Sequence, residues 1–132
     1  MRFQKYLIES DDPITDTDLK NLELWADKLF SKVGLDVEFT RHFKTRVNDE
    51  RNKKQITFSE LTRLFRETYK THGKKIAALS PNIEAVLKDL ETDLNVPFAL
   101  RYSRQTQELD LVAKTIMRKK GFMTPDREFV IK

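Results

Sequence analysis

No cysteine occurs among the 132 residues, so the chain has no disulfide and no thiolate, and every zinc site that needs a cysteine ligand is excluded. Histidine is nearly as scarce. His42 and His72 are the only two, and they do not fall at a metal-ligating spacing. The acids are scattered rather than grouped, so no metal site and no cofactor is expected. With three glycines in all, the chain cannot build the glycine-rich loop that cradles phosphates in P-loop or dinucleotide-binding proteins. No apolar run approaches the length of a membrane span, and the first residues lack the apolar core of a secretory signal. The expectation is a soluble chain with no membrane partner, folded in a reducing environment.

What is present is charge, unevenly spread. Residues 1–38 carry 5 Lys and Arg against 9 Asp and Glu, a balance of −4, whereas residues 39–132 carry 20 against 12, a balance of +8. A basic body behind an acidic front suits a phosphate-rich ligand. With 35% of residues charged, solvated helix faces account for much of the same pattern.

The length fits one domain. Residues 1–10 read as a short amphipathic piece with Phe3, Tyr6 and Leu7 at helical spacing, cut off by Ser10-Asp11-Asp12-Pro13. Residues 11–132 read as a single α+β domain. Leu19, Leu22, Trp25 or Ala26, Leu29 and Val33 mark a first helix beginning at Thr17 or Asp18, with Gly34 as its stop. After an extended stretch from Leu35 to Glu38, a second helix buries Phe39, Phe43 and Val47 and ends at Asn48-Asp49. Thr57-Phe58-Ser59-Glu60 is a capping box that opens a third helix, which His72-Gly73 is expected to close. Beyond Pro81 the apolar period shortens towards 2. Ile83 to Asp89 is ambiguous, Val96, Phe98 and Leu100 share a strand face, Leu109, Leu111 and Ala113 share another, and Arg127 to Ile131 adds a last strand. Helices followed by a meander predict two to three N-terminal helices packed on a three- to four-stranded antiparallel sheet.

His42 and Arg46 stand one helical turn apart, beside the Phe39, Phe43, Val47 stripe. Metal-free RNA cleavage needs such a pair: a group that titrates near neutrality and a fixed cation for the charge that builds on phosphate. A packing role beside two phenylalanines is the simpler account of His42. Arg41 and Lys44, on the same helix, are candidate nucleic-acid contacts. His72 reads as a cation in a last helical turn, favoured by the helix dipole. A second cluster, Lys114, Thr115, Arg118, Lys119 and Lys120, follows a strand; it can line a phosphate channel or guard a sheet edge. Arg101 and Arg104, on the preceding strand and loop, can join it if the two strands pair, and Tyr102 can stack on a base.

Two resemblances add to this reading. Met1-Arg-Phe-Gln-Lys-Tyr-Leu-Ile-Glu9 resembles the capsid-targeting peptide of internal head proteins in large tailed phages, with Leu7-Ile8-Glu9 as the cleavage signal. That implies processing at Leu7 and Glu9, a phage capsid partner during assembly, and a place in the virion head before the host cytoplasm. The body, ending in Thr115, Arg118, Lys119, Lys120, Phe122, Thr124 and Pro125, is remotely similar to uncharacterised phage proteins and, through them, to the barnase and RelE-like ribonucleases. That likeness implies a metal-independent endoribonuclease. His42 would be its general acid or base, Arg46, Arg101 and Arg118 its phosphate cations, and Thr115 a positioning hydroxyl; Glu84 and Glu108 are the candidates for a second base. The expected partner is nucleic acid, RNA ahead of DNA. A non-enzymatic nucleic-acid binder, an inhibitor docked on a host protein, and a structural virion subunit are the alternatives.

Overall fold

The structure, a computed structural model, describes residues 13–132. The amphipathic piece and its cleavage signal at Leu7 and Glu9 lie outside the described residues.

Helix α1 spans Asp16–Phe30. Thr15 caps it, accepting from the Asp18 N–H while the Asp18 carboxylate accepts from the Thr15 N–H, and Leu19, Leu22, Ala26 and Phe30 form its buried stripe. A 3₁₀ turn at Ser31–Val33 follows, and Gly34 takes the left-handed conformation (φ 82°) that releases the chain into strand β1, Leu35–Phe39. Helix α2, Arg41–Val47, is short; it buries Phe43 and Val47 and leaves His42 exposed. Its cap, Thr40, accepts from the Phe43 N–H and donates to the Lys114 carbonyl at 2.8 Å, so one side chain both starts the helix and pins it to a distant strand. Helix α3, Phe58–Ala77, opens with the Thr57/Glu60 capping box.

The expected antiparallel sheet is corrected to a mixed one with more strands. To β1 are added β2 (Glu84–Asp89), β3 (Leu94–Ser103), β4 (Glu108–Ala113), the two-residue β5 (Met117–Arg118) and β6 (Arg127–Ile131). Their order is β1-β4-β3-β2-β6, with β5 continuing the line of β4 along β3. The hairpins β2/β3 and β3/β4 are antiparallel, but both flanking pairs, β1 with β4 and β2 with β6, are parallel. Local turn chemistry identifies hairpins; a parallel partner lies far along the chain and leaves no local mark. The core gathers β-sheet residues such as Leu87, Phe98, Leu100 and Leu111 with the stripes of α1 and α3.

Two further corrections concern α3. It does not end at His72-Gly73 but runs on to Ala77. Gly73 is buried, and a Cβ there would stand 3.2 Å from the Tyr69 ring, so the small residue serves close packing rather than termination. His72 therefore lies inside the helix and not in its last turn. Its ring lies edge-on to Phe129 and its Nε2 is 2.8 Å from the Val130 carbonyl oxygen, tying the helix to the edge strand β6. The opposite edge is covered in the same way: Asp27 and Glu23 of α1 accept the Val37 and Phe39 N–H groups at 2.8 and 2.6 Å, leaving that edge of β1 little to offer another strand.

Candidate nucleic-acid interface

The pairing of β3 shifts by one residue between β4 and β5: Phe98 faces Ala113, whereas Asn95 faces Met117. The extra residue is a bulge spread over Lys114–Ile116. Pro97 lies opposite it, where its missing N–H costs no ladder bond, and its carbonyl accepts the Lys114 N–H. The bulge bends the chain out of the sheet just beyond the C-terminal ends of β1 and β4, beside α2.

A cleft of about 820 Å³ opens there. One wall carries His42 and Arg46 of α2; a second is the loop Asp49–Lys54; the third is Thr115–Lys120, with Asp93 at its edge. Arg46 Nε–H donates to His42 Nε2 at 3.3 Å, and Arg46 Nη1 pairs with Asp49 at 3.0 Å, so an imidazole, a guanidinium and a carboxylate run in series from the first wall to the second. The Asp49 carboxyl is held below its ordinary range, chiefly by the Arg51 backbone N–H and then by the two arginines. Lys53 has φ 64° and ψ −49°, and the Lys54 N–H bonds back to the Asn52 carbonyl at 2.6 Å, which makes a γ-turn of the rarer, strained hand at the rim.

Seven lining residues are cationic and two are acidic. Arg46 is matched by Asp49, and Arg51 lies 3.9 Å from the same carboxylate. Lys53, Lys54, Lys119 and Lys120 are exposed and form no ion pair among the described residues. The net charge of the lining is positive, and the lysines that form no ion pair come from two separate segments, Lys53–Lys54 and Lys119–Lys120. Among the described residues no phenylalanine, tyrosine or tryptophan lines it, and no group of three or more potential metal ligands occurs.

Of the residues singled out by sequence, His42, Arg46, Thr115, Arg118, Lys119 and Lys120 come together here. Arg118 does so in a different role from the one expected. All five N–H groups of its guanidinium are satisfied inside the protein: a two-pronged pair with Glu60 at 2.8 and 2.9 Å, and the carbonyls of Thr92, Gln55 and Lys54 at 2.8, 3.1 and 3.3 Å. A phosphate would find no donor left on it, so Arg118 builds the cleft rather than contacting a ligand in it. Arg101 does not reach the cleft. It faces Asp110 across the β3/β4 ladder, six residues along β3 from Asn95, or about 20 Å of strand. Arg104 lies in the β3–β4 turn, and Tyr102 stands beside it rather than over a binding surface. Lys114 leaves the lining to pair with Glu84. Arg41 and Lys44 lie on α2 outside the cleft. Neither candidate second base lines it, Glu84 being held by Lys114 and Glu108 standing against Asp36. The loop cations Arg51, Lys53 and Lys54 are not among the residues that sequence singles out; their one signal is three cations in four residues.

The acids gather elsewhere. Asp36 and Asp110 are direct neighbours across β1 and β4, with Asp27, Glu38 and Glu108 around them. Burial and then Asp36 and Glu38 push the Asp110 carboxyl up, so the folded state holds that proton more tightly than the unfolded chain. Asp110 therefore weakens the fold as pH rises through the carboxylate range. Asp110→Asn is expected to stabilise the protein at pH 7 by roughly 0.5 kcal/mol after solvent screening. Urea melts of both proteins should converge below about pH 4; a variant no more stable at neutral pH would count against repulsion.

The chain matches no protein-family model, no curated protein and no solved structure.

Proposed function

We propose that this chain binds nucleic acid along its phosphate backbone, through the cleft between α2, the Asp49–Lys54 loop and the Thr115–Lys120 segment. The observation that carries this reading is that Lys53, Lys54, Lys119 and Lys120, all exposed and none in an ion pair among the described residues, line one cleft from two segments of the chain. Lysine is a point charge that suits phosphate and lacks the planar fork by which arginine reads guanine. The absence of lining aromatics among the described residues removes base stacking as the main source of affinity. Recognition is then independent of sequence and strongly dependent on salt.

Fluorescence anisotropy of a short labelled RNA, titrated at a series of KCl concentrations, tests it. The logarithm of the binding constant should fall linearly with the logarithm of salt, with a slope near −0.7 to −0.9 per phosphate contacted. Salt-insensitive binding, or none, rejects the reading and favours a protein partner.

A second reading rests on His42. Its exposed imidazole accepts a hydrogen bond from Arg46 at the cleft wall, with the Thr115 hydroxyl among the lining groups. Once the Arg46 N–H turns to a phosphate oxygen, Nε2 is free to take the proton of a ribose 2′-hydroxyl while the lysines offset charge on the phosphate, which is the chemistry of a metal-independent endoribonuclease and the reason RNA ranks ahead of DNA. The barnase and RelE-like likeness belongs to this reading alone; the two parallel strand pairs depart from the antiparallel sheet it implies. In EDTA the wild type should cleave RNA and His42→Ala should cleave at least about 100-fold more slowly. Equal cleavage by both removes the enzymatic claim. The accompanying placement, a phage head protein injected with the genome, is supported by the Met1–Glu9 pattern alone.

A further inference from the structure

We infer that Glu60 and Arg118 are positioning residues, a pair that fixes the two lysine walls before any ligand arrives; this rests on the nucleic-acid reading. Arg118 stands next to Lys119 and Lys120 in the chain, and its guanidinium donates to the carbonyls of Lys54 and Gln55, at the base of the other wall. A third bond goes to the Thr92 carbonyl, in the turn that also supplies the Asp93 carbonyl to the Lys119 N–H at 2.9 Å. Asn52, itself buried, closes the same junction. Its Oδ1 accepts the Arg118 N–H at 3.1 Å and its Nδ2 donates to the Arg46 carbonyl at 2.8 Å. Every wall of the cleft is thus tied to one guanidinium or to its neighbour.

Glu60 holds that guanidinium. Burial pulls the Glu60 carboxyl up, but the Arg118 fork and the Thr57 N–H outweigh it and keep the group below its usual range, ionised at neutral pH. The side chain is also the reciprocal half of the α3 capping box, through Oε1. Glutamine serves a capping box as well as glutamate does. Glu60→Gln therefore keeps the helix start while placing an N–H₂ against the arginine fork and removing the charge.

The direction of the effect separates positioning from simple electrostatics. Glu60→Gln deletes a negative charge beside a cationic cleft, so the summed field alone predicts tighter binding of an anion. Loosening of the walls predicts weaker binding, because lysines no longer preorganised must be ordered by the ligand. The expected result, in anisotropy titrations of the full chain with a labelled RNA, is an affinity about tenfold lower, the equivalent of one or two more side chains to immobilise. The salt slope should stay that of the wild type, since no phosphate contact is lost, whereas Lys119→Ala should reduce it by about 0.7 to 0.9. Circular dichroism melts check that the variant is folded at the assay temperature. Should it not be, Arg118→Lys retains the charge but loses the fork and is expected to give the same loss with the same slope. Unchanged or tighter binding in whichever variant is folded overturns the positioning role alone. A wild type with no salt-dependent binding overturns the nucleic-acid reading and the positioning role with it.

Discussion

Replacing Asp89 with alanine is expected to cost about 3–5 kcal/mol of stability, the penalty of removing one partner from a buried ion pair. Asp89 ends β2 and is fully buried. One oxygen accepts from Arg63 Nε of α3 at 3.0 Å; the other accepts the Glu91 N–H at 2.9 Å. The truncation strands a largely enclosed guanidinium and an uncapped turn at once, and Glu91, 3.1 Å from Arg63 but two-thirds exposed, can offset little of the lost charge. Asp89→Asn keeps an acceptor for the Glu91 N–H and should lose about half as much. Urea denaturation at pH 7 measures both. A loss under about 1 kcal/mol for the alanine variant would mean that Arg63 finds solvent or Glu91 without cost, and that the pair does not lock α3 to the sheet.

The elements that could be read from sequence are those whose signals are local. The first part of the stripe, Leu19, Leu22 and Ala26, the Thr57/Glu60 box, the left-handed stop at Gly34 and the alternation of Val96, Phe98 and Leu100 each depend on residues within a few positions of one another and appear where expected, whereas at the end of the helix Phe30 is buried in place of Leu29 and Val33. Most of what sequence missed depends on distance, and one miss, Gly73, on packing within a single helical turn. The parallel pairing of Leu35–Phe39 with Leu109–Ala113 joins segments some seventy residues apart, and β1 read only as an extended link. Gly73 looked like a stop because glycine often is one, but the Tyr69 ring needed the space.

The candidate site divides in the same way. The His42/Arg46 spacing is a helical repeat, and Lys119-Lys120 is a charge run, so both were visible. That they share a cleft with a third cationic segment was not, because Asn52 and Arg118 bring it there through bonds spanning more than sixty positions. Arg101 was assigned to the site on pairing alone. Pairing was correct, but the register placed it opposite Asp110, at the acidic end of the sheet. Its place in a cationic run and the ribonuclease likeness make Arg118 a ligand contact in sequence, and only its hydrogen-bond partners show that charge to be spent internally.

Removing the lysine walls should have the largest effect on binding. Lys53, Lys119 and Lys120 are exposed, and none forms an ion pair among the described residues, so their joint replacement by alanine leaves no buried charge unmatched and should change stability by less than about 1 kcal/mol. Lys53 has an added reason to be neutral in the folded state: any L residue there keeps the same positive φ, so alanine neither relieves nor adds strain. If each lysine neutralises one duplex phosphate, the triple variant loses about 2.7 from the salt slope, and at roughly 0.1 M salt its affinity falls about 500-fold relative to the extrapolated 1 M reference. Charge alone sets that number, so the loss should be the same for unrelated sequences of equal length. A triple variant that binds as tightly as the wild type, or whose loss depends on base sequence, would place the nucleic acid elsewhere on the protein. A slope change near 0.9 would mean that only the Lys53 wall touches phosphate, and one near 1.8 that only the Lys119–Lys120 wall does, the other serving to shape the cleft.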